Sequence, residues 1–73
     1  MDEMVLNEEM LNIEIRKFLK KVGITSQREI EQAIRTARAA GKIRGDETLP
    51  VQMTLSMPAL NLTHRVDGDI ALG

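Results

Sequence analysis

Apolar spacing changes once along this chain, after Gly41, and that change limits what it can fold into. Before it, Leu11, Ile15, Phe18, Leu19 and Val22 lie on one stripe of a 3.6-residue repeat. After it, Val51, Met53, Leu55 and Met57 alternate with Gln52, Thr54 and Ser56, the period of a half-buried strand. Helical sequence therefore comes first and strand sequence second, an α+β order. With 73 residues the chain holds one domain at most.

The helical part carries two sets of punctuation. Asn7 is placed to cap a helix over about 7–22, because its side-chain oxygen can accept a first-turn amide. Met10 and Ile13 widen that helix's stripe, and Gly23 stands where a C′ residue is wanted. In Thr25-Ser26-Gln27-Arg28-Glu29, Ser26 and Glu29 have capping-box spacing, which opens a second helix over about 26–40. Ile30, Ala33, Ile34, Ala37 and Ala40 give that helix a narrow stripe of mostly small residues, and Gly41 ends it. The link Gly23-Ile24-Thr25 is short enough to predict a directly connected helix pair.

Two strands follow, over about 50–57 and 60–72. Pro50 suits a strand start, where a missing donor is tolerated, and Pro58-Ala59 suits the turn. Leu60, Leu62, His64 and Val66 alternate with Asn61, Thr63 and Arg65 in the second arm. Asp67-Gly68 is a turn dipeptide, but a turn there would send Ile70 and Leu72 to the face opposite Val66. A strand continuing through a bend or bulge at Gly68 keeps all three on one face. The expected architecture is a two-helix hairpin packed on one face of a two-stranded antiparallel β-hairpin, ααββ. It forms a single domain over 7–72 behind a flexible segment at 1–6. Phe18 is the only aromatic residue and five methionines accompany it, so Phe18 is expected to centre a small, soft core. A chain this small, with two open sheet edges, is expected to self-associate as a homodimer, through its second strand for instance.

Several functions are excluded or disfavoured. The chain has no cysteine, hence no disulfide, thiol nucleophile or thiolate metal site. No apolar run approaches the ~20 residues of a membrane span, and Met1-Asp2-Glu3-Met4 is acidic where a secretory signal is basic. The expected location is the cytoplasm. A Ser-His-acid triad would need Ser26 or Ser56 beside His64. Ser26 reads as a cap, and strand parity points Ser56 and His64 to opposite faces, so no catalytic residue is assigned. His64 reads as a neutral histidine at the core edge, since no second histidine or cysteine accompanies it. Asp46, Glu47, Asp67 and Asp69 gather toward the open end of the hairpin, with Glu47 counted near Asp69 and Ile70. They read as solubilising acids rather than a Mg²⁺ or Ca²⁺ site, and neither metal nor cofactor is expected.

Charge is strongly partitioned: residues 1–15, 16–44 and 45–73 carry −5, +7 and −3 in turn. Within the basic block, Arg28, Arg35, Arg38, Lys42 and Arg44 are candidate nucleic-acid contacts, with Arg16, Lys17, Lys20 and Lys21 before them on the same possible phosphate-binding surface. A near-neutral total charge and the absence of Trp and Tyr weaken that reading. Helix electrostatics offers another account, because acids early and bases late in each helix complement its dipole. A docking surface for another protein is a further reading, since Glu14, Arg16, Lys17 and Lys21 alternate with apolar residues on the helices.

The run Arg16-Lys17-Phe18-Leu19-Lys20-Lys21-Val22-Gly23-Ile24-Thr25-Ser26-Gln27-Arg28-Glu29-Ile30-Glu31 is the most specific stretch. With Gly41, Gly45, Leu49-Pro50 and Val66-Asp67-Gly68, it resembles a family of small bacterial proteins of unknown function. The resemblance covers most of residues 7–72. It implies a bacterial cytoplasmic protein and supplies no activity, cofactor or catalytic residue. The sequence therefore points to a non-catalytic interaction or self-associating module, with weak nucleic-acid binding as the alternative.

Overall fold

The computed structural model describes residues 5–73; residues 1–4 of the expected flexible segment lie outside the described residues. The elements are a helix α1 (Glu8–Ala39), a strand β1 (Thr48–Met57), a 3-10 turn (Pro58–Leu60) and a strand β2 (Leu62–Ala71). The chain divides into two compact units, Met1–Thr36 and Ala37–Gly73.

The expected pair of helices is a single helix of 32 residues, so the two-helix hairpin is corrected. Its N-terminus is capped as the sequence predicts: the Met10 amide donates to Asn7 Oδ1 at 3.0 Å. Gly23 keeps a negative φ and continues the helix; the positive-φ glycines are Gly41 and Gly45. Ser26, the expected cap, lies inside the helix, and the Thr25 hydroxyl beside it donates to the Lys21 carbonyl one turn back, at 2.8 Å. Two physical facts favour continuation. A helical glycine costs only about 1 kcal/mol relative to alanine, and no proline interrupts residues 8–39. Val22, Ser26, Ile30 and Ile34 also follow at four-residue steps, so the stripe runs through the supposed break in phase. All four are half-buried.

The real terminus is at Gly41. Its amide donates to the Arg38 carbonyl at 3.1 Å, and the Lys42 amide to the Ala37 carbonyl at 2.9 Å. With φ +74° at Gly41, this is the paired-bond C-terminal motif that satisfies the last orphan carbonyls.

β1 and β2 pair antiparallel from Thr48↔Ala71 to Met57↔Leu62. The expected spans of 50–57 and 60–72 shift because Pro58–Leu60 forms the turn and Pro50 sits inside the ladder opposite Asp69. In a two-stranded sheet both strands are edges, so a missing proline donor is tolerated there. Asn61 closes the turn at φ 53°, donating its amide to Pro58 at 3.1 Å, a conformation asparagine adopts more readily than most residues. Gly68 pairs with Val51 inside an unbroken one-to-one ladder, so Asp67-Gly68 is no turn, and the strand keeps its phase without the bulge expected at Gly68. One face carries Leu49, Val51, Met53 and Leu55 opposite Ile70, Gly68, Val66 and His64; the other carries Gln52, Thr54 and Ser56 opposite Asp67, Arg65 and Thr63.

None of the described residues is buried. Phe18, expected at the centre of a core, is 53% exposed, and Val66 on the apolar hairpin face is 56% exposed. A two-stranded hairpin has only one apolar face and no second layer of its own to cover it.

Candidate functional site

The five basic residues singled out from the sequence divide between the two units. Arg28 and Arg35 lie on the helix of the first, while Arg38, Lys42 and Arg44 belong to the second. All five are exposed.

In the first unit, helix continuity aligns bases that two separate helices would have divided. Lys17, Lys21, Arg28 and Arg35 stand 4, 11 and 18 residues apart. At about 100° per residue those separations return to one face within about 40°, over a rise of about 27 Å. Glu31 borders this row and accepts the Gln27 side-chain amide at 3.0 Å. Lys17 and Lys21 share a face with Arg28 and Arg35 because the helix is unbroken; two helices parted at Gly23 would separate them.

In the second unit the bases are partly engaged by the chain itself. Arg44 Nε lies 3.4 Å from Asp46 Oδ1, an exposed pair of small energetic value. Arg38 runs alongside the loop, where a Cβ at Gly45 would come 3.2 Å from its Nε.

The acids at the hairpin base do not assemble a cation site. The Glu47 carboxylate is occupied by its own backbone: it accepts the amides of Arg44 at 3.1 and 2.8 Å, Gly45 at 2.8 Å and Asp46 at 3.2 Å. Those amide bonds, Arg44 first and then Gly45, bring its pKa from 4.5 down to about 2. The Glu47 carbonyl in turn accepts the Leu72 amide at 2.9 Å, so Glu47 stands opposite Leu72 rather than near Asp69 and Ile70. Asp67 pairs with Arg65 along β2, Nε to Oδ1 3.1 Å. No metal-holding group of three or more His, Cys, Asp or Glu occurs among the described residues. This nest was not readable from side-chain types, because its donors are backbone amides.

Ser56 and His64 point to opposite faces of the hairpin, since Ser56 pairs with Thr63 and Leu55 with His64. His64 is exposed rather than set at a core edge. A shallow hollow lined by Pro50, Val51, Gln52, Asp67, Gly68 and Asp69 lies where Gly68 presents no side chain opposite Val51. It brings carboxylates but no nucleophile or base pair. No helix among the described residues is long and apolar enough to cross a membrane.

Searches of curated proteins and of solved structures return no match. A family model does match, over residues 6–73, and the chain belongs to that family of unknown function, DUF6494.

Proposed function

We propose that this protein is a non-catalytic module that works by associating with copies of itself, in the cytoplasm of a bacterium. The cellular setting is taken from the family resemblance. The observation carrying the functional reading is the exposure of apolar side chains in both units without one buried residue among those described. On α1, Phe18 is 53% and Leu19 56% exposed; on the hairpin, Met53 is 41% and Val66 56% exposed. Apolar surface is worth roughly 25 cal/mol per Å² when removed from water, and association is one way to remove it. Sedimentation of the full chain over a concentration series tests this reading. It predicts a concentration-dependent dimer or larger species, and a monomer throughout contradicts it.

A second reading, weak nucleic-acid binding, gains one observation: the row of Lys17, Lys21, Arg28 and Arg35 on one face of an unbroken helix. A regular row of cations suits a phosphate backbone. Adding a labelled mixed-sequence duplex to the same sedimentation series separates the two. Co-sedimentation at physiological salt that is lost when Arg28 and Arg35 become Gln favours this second reading.

A further inference from the structure

We infer that the occupant of the exposed stripe at the start of α1 is the same segment of a second copy, running antiparallel. This inference rests on the self-association proposed above and specifies its geometry.

The stripe in question is Leu11, Ile15, Phe18 and, at its half-buried end, Val22, spaced 4, 3 and 4 residues apart, the alternation of a helix–helix seam. Leu11, Ile15 and Phe18 are 39%, 49% and 53% exposed. The seam is bounded at one end by Glu8 and at the other by Thr25, the next positions in the same alternation. Polar residues there limit the apolar contact to about four layers.

Charge decides direction. The first two turns of α1 carry Glu8, Glu9 and Glu14 without a base; Arg16, Lys17, Lys20 and Lys21 follow. A parallel, in-register pair would set acids against acids and bases against bases. It would also place Glu14 beside Leu19 and Lys21 beside Ser26 across the seam, so no ion pair forms. An antiparallel pair sets the acidic start of each helix against the basic stretch of the other.

Charge also decides register. With Leu11 opposite Val22 of the second copy and Ile15 opposite its Phe18, the flanking residues that face each other are Glu14 and Lys21. By two-fold symmetry this pairing occurs twice. Sliding one helix back by seven residues sets Glu14 against Glu14 of the second copy. Sliding it forward by seven sets Lys21 against Lys21 and drives Leu11 against Glu29. One register alone gives both apolar layers and complementary flanks. Glu14 and Lys21 are both exposed, and neither takes part in the two ion pairs found among the described residues.

The test uses charge reversal in the full chain, read by sedimentation. Glu14→Lys alone places lysine against Lys21 twice per dimer, and Lys21→Glu alone places glutamate against Glu14 twice. Each single variant is expected to weaken self-association by about tenfold or more at low salt, less at high salt. Mixing the two single variants restores both opposite-charge pairs in a heterodimer, and recovery to within about threefold of the parent is the expected result. The double variant in one chain recovers likewise. Single variants that associate as the parent does, or a mixture that fails to recover, overturn the antiparallel register even where the parent dimerises. A parent chain that stays monomeric overturns the self-association reading itself.

Discussion

The Glu47 carboxylate receives the Arg44 backbone amide through both oxygens, at 3.1 and 2.8 Å, and so closes the loop that joins α1 to β1. Gly45 and Asp46 donate to the same carboxylate, which makes a charged side chain the acceptor for three consecutive amides. Gly45 lends the loop its shape, with φ +109°.

That arrangement sets a pH dependence. Glu47 is held near a pKa of about 2, below the ordinary 4.5, so its contribution is complete above about pH 4.5 and fades as pH falls toward 2. In the folded protein the Arg44 and Gly45 amide resonances should titrate with a midpoint near pH 2. In Glu47→Gln, which keeps one acceptor oxygen without the charge, that titration should disappear. An unchanged titration in Glu47→Gln contradicts this account of the loop.

Helix continuity has its own test in Gly23→Ala. A Cβ at Gly23 meets nothing within 4 Å, and φ there is not positive. The substitution should stabilise the protein by about 0.5–1 kcal/mol and raise helical ellipticity. A helix ending at Gly23 would require left-handed backbone, and alanine would then destabilise by a similar amount. The sign of the change in a thermal melt decides between one helix and two.

Gly41 and Gly45 should respond in the opposite sense. Both have positive φ, at 74° and 109°, and a Cβ at Gly45 would also crowd Arg38 Nε at 3.2 Å. Alanine at either position is expected to cost about 1 kcal/mol or more, measured by denaturant unfolding. Neutral effects at both would refute the helix terminus and loop described above.

Phe18→Ala separates an intrachain core from an intermolecular one. With Phe18 53% exposed in the single chain, its loss should act mainly by weakening association, read as a shift of the concentration series. A stability loss of about 3–5 kcal/mol that is independent of protein concentration would instead place Phe18 in a core within one chain.

Much of the local structure is legible in the residues. Asn7 caps, Gly41 terminates, and the phase of Val66, Ile70 and Leu72 rules out a turn at Asp67-Gly68. A helix break at Gly23 is expected wrongly from capping signals because these are local: Ser26 and Glu29 have the right spacing whether or not a helix starts there. Phase carries the longer-range information, and the steps from Val22 through Ser26 to Ile30 already run unbroken. The basic row followed from the same point, since Lys17 and Arg28 share a face only on one helix. Glu47's amide nest had no side-chain signature at all. The expected gathering of Asp46, Glu47, Asp67 and Asp69 fails because the turn takes in Pro58–Leu60 and sets the register two residues on, leaving Glu47 opposite Leu72.

Sedimentation velocity on the full chain across a concentration series, alongside thermal melts at the same concentrations, tests the central claim most directly. Self-association predicts a species at least twice the 8.2 kDa chain mass and a melting temperature that rises with concentration. An 8.2 kDa monomer at every concentration, melting cooperatively at one fixed temperature, would contradict it.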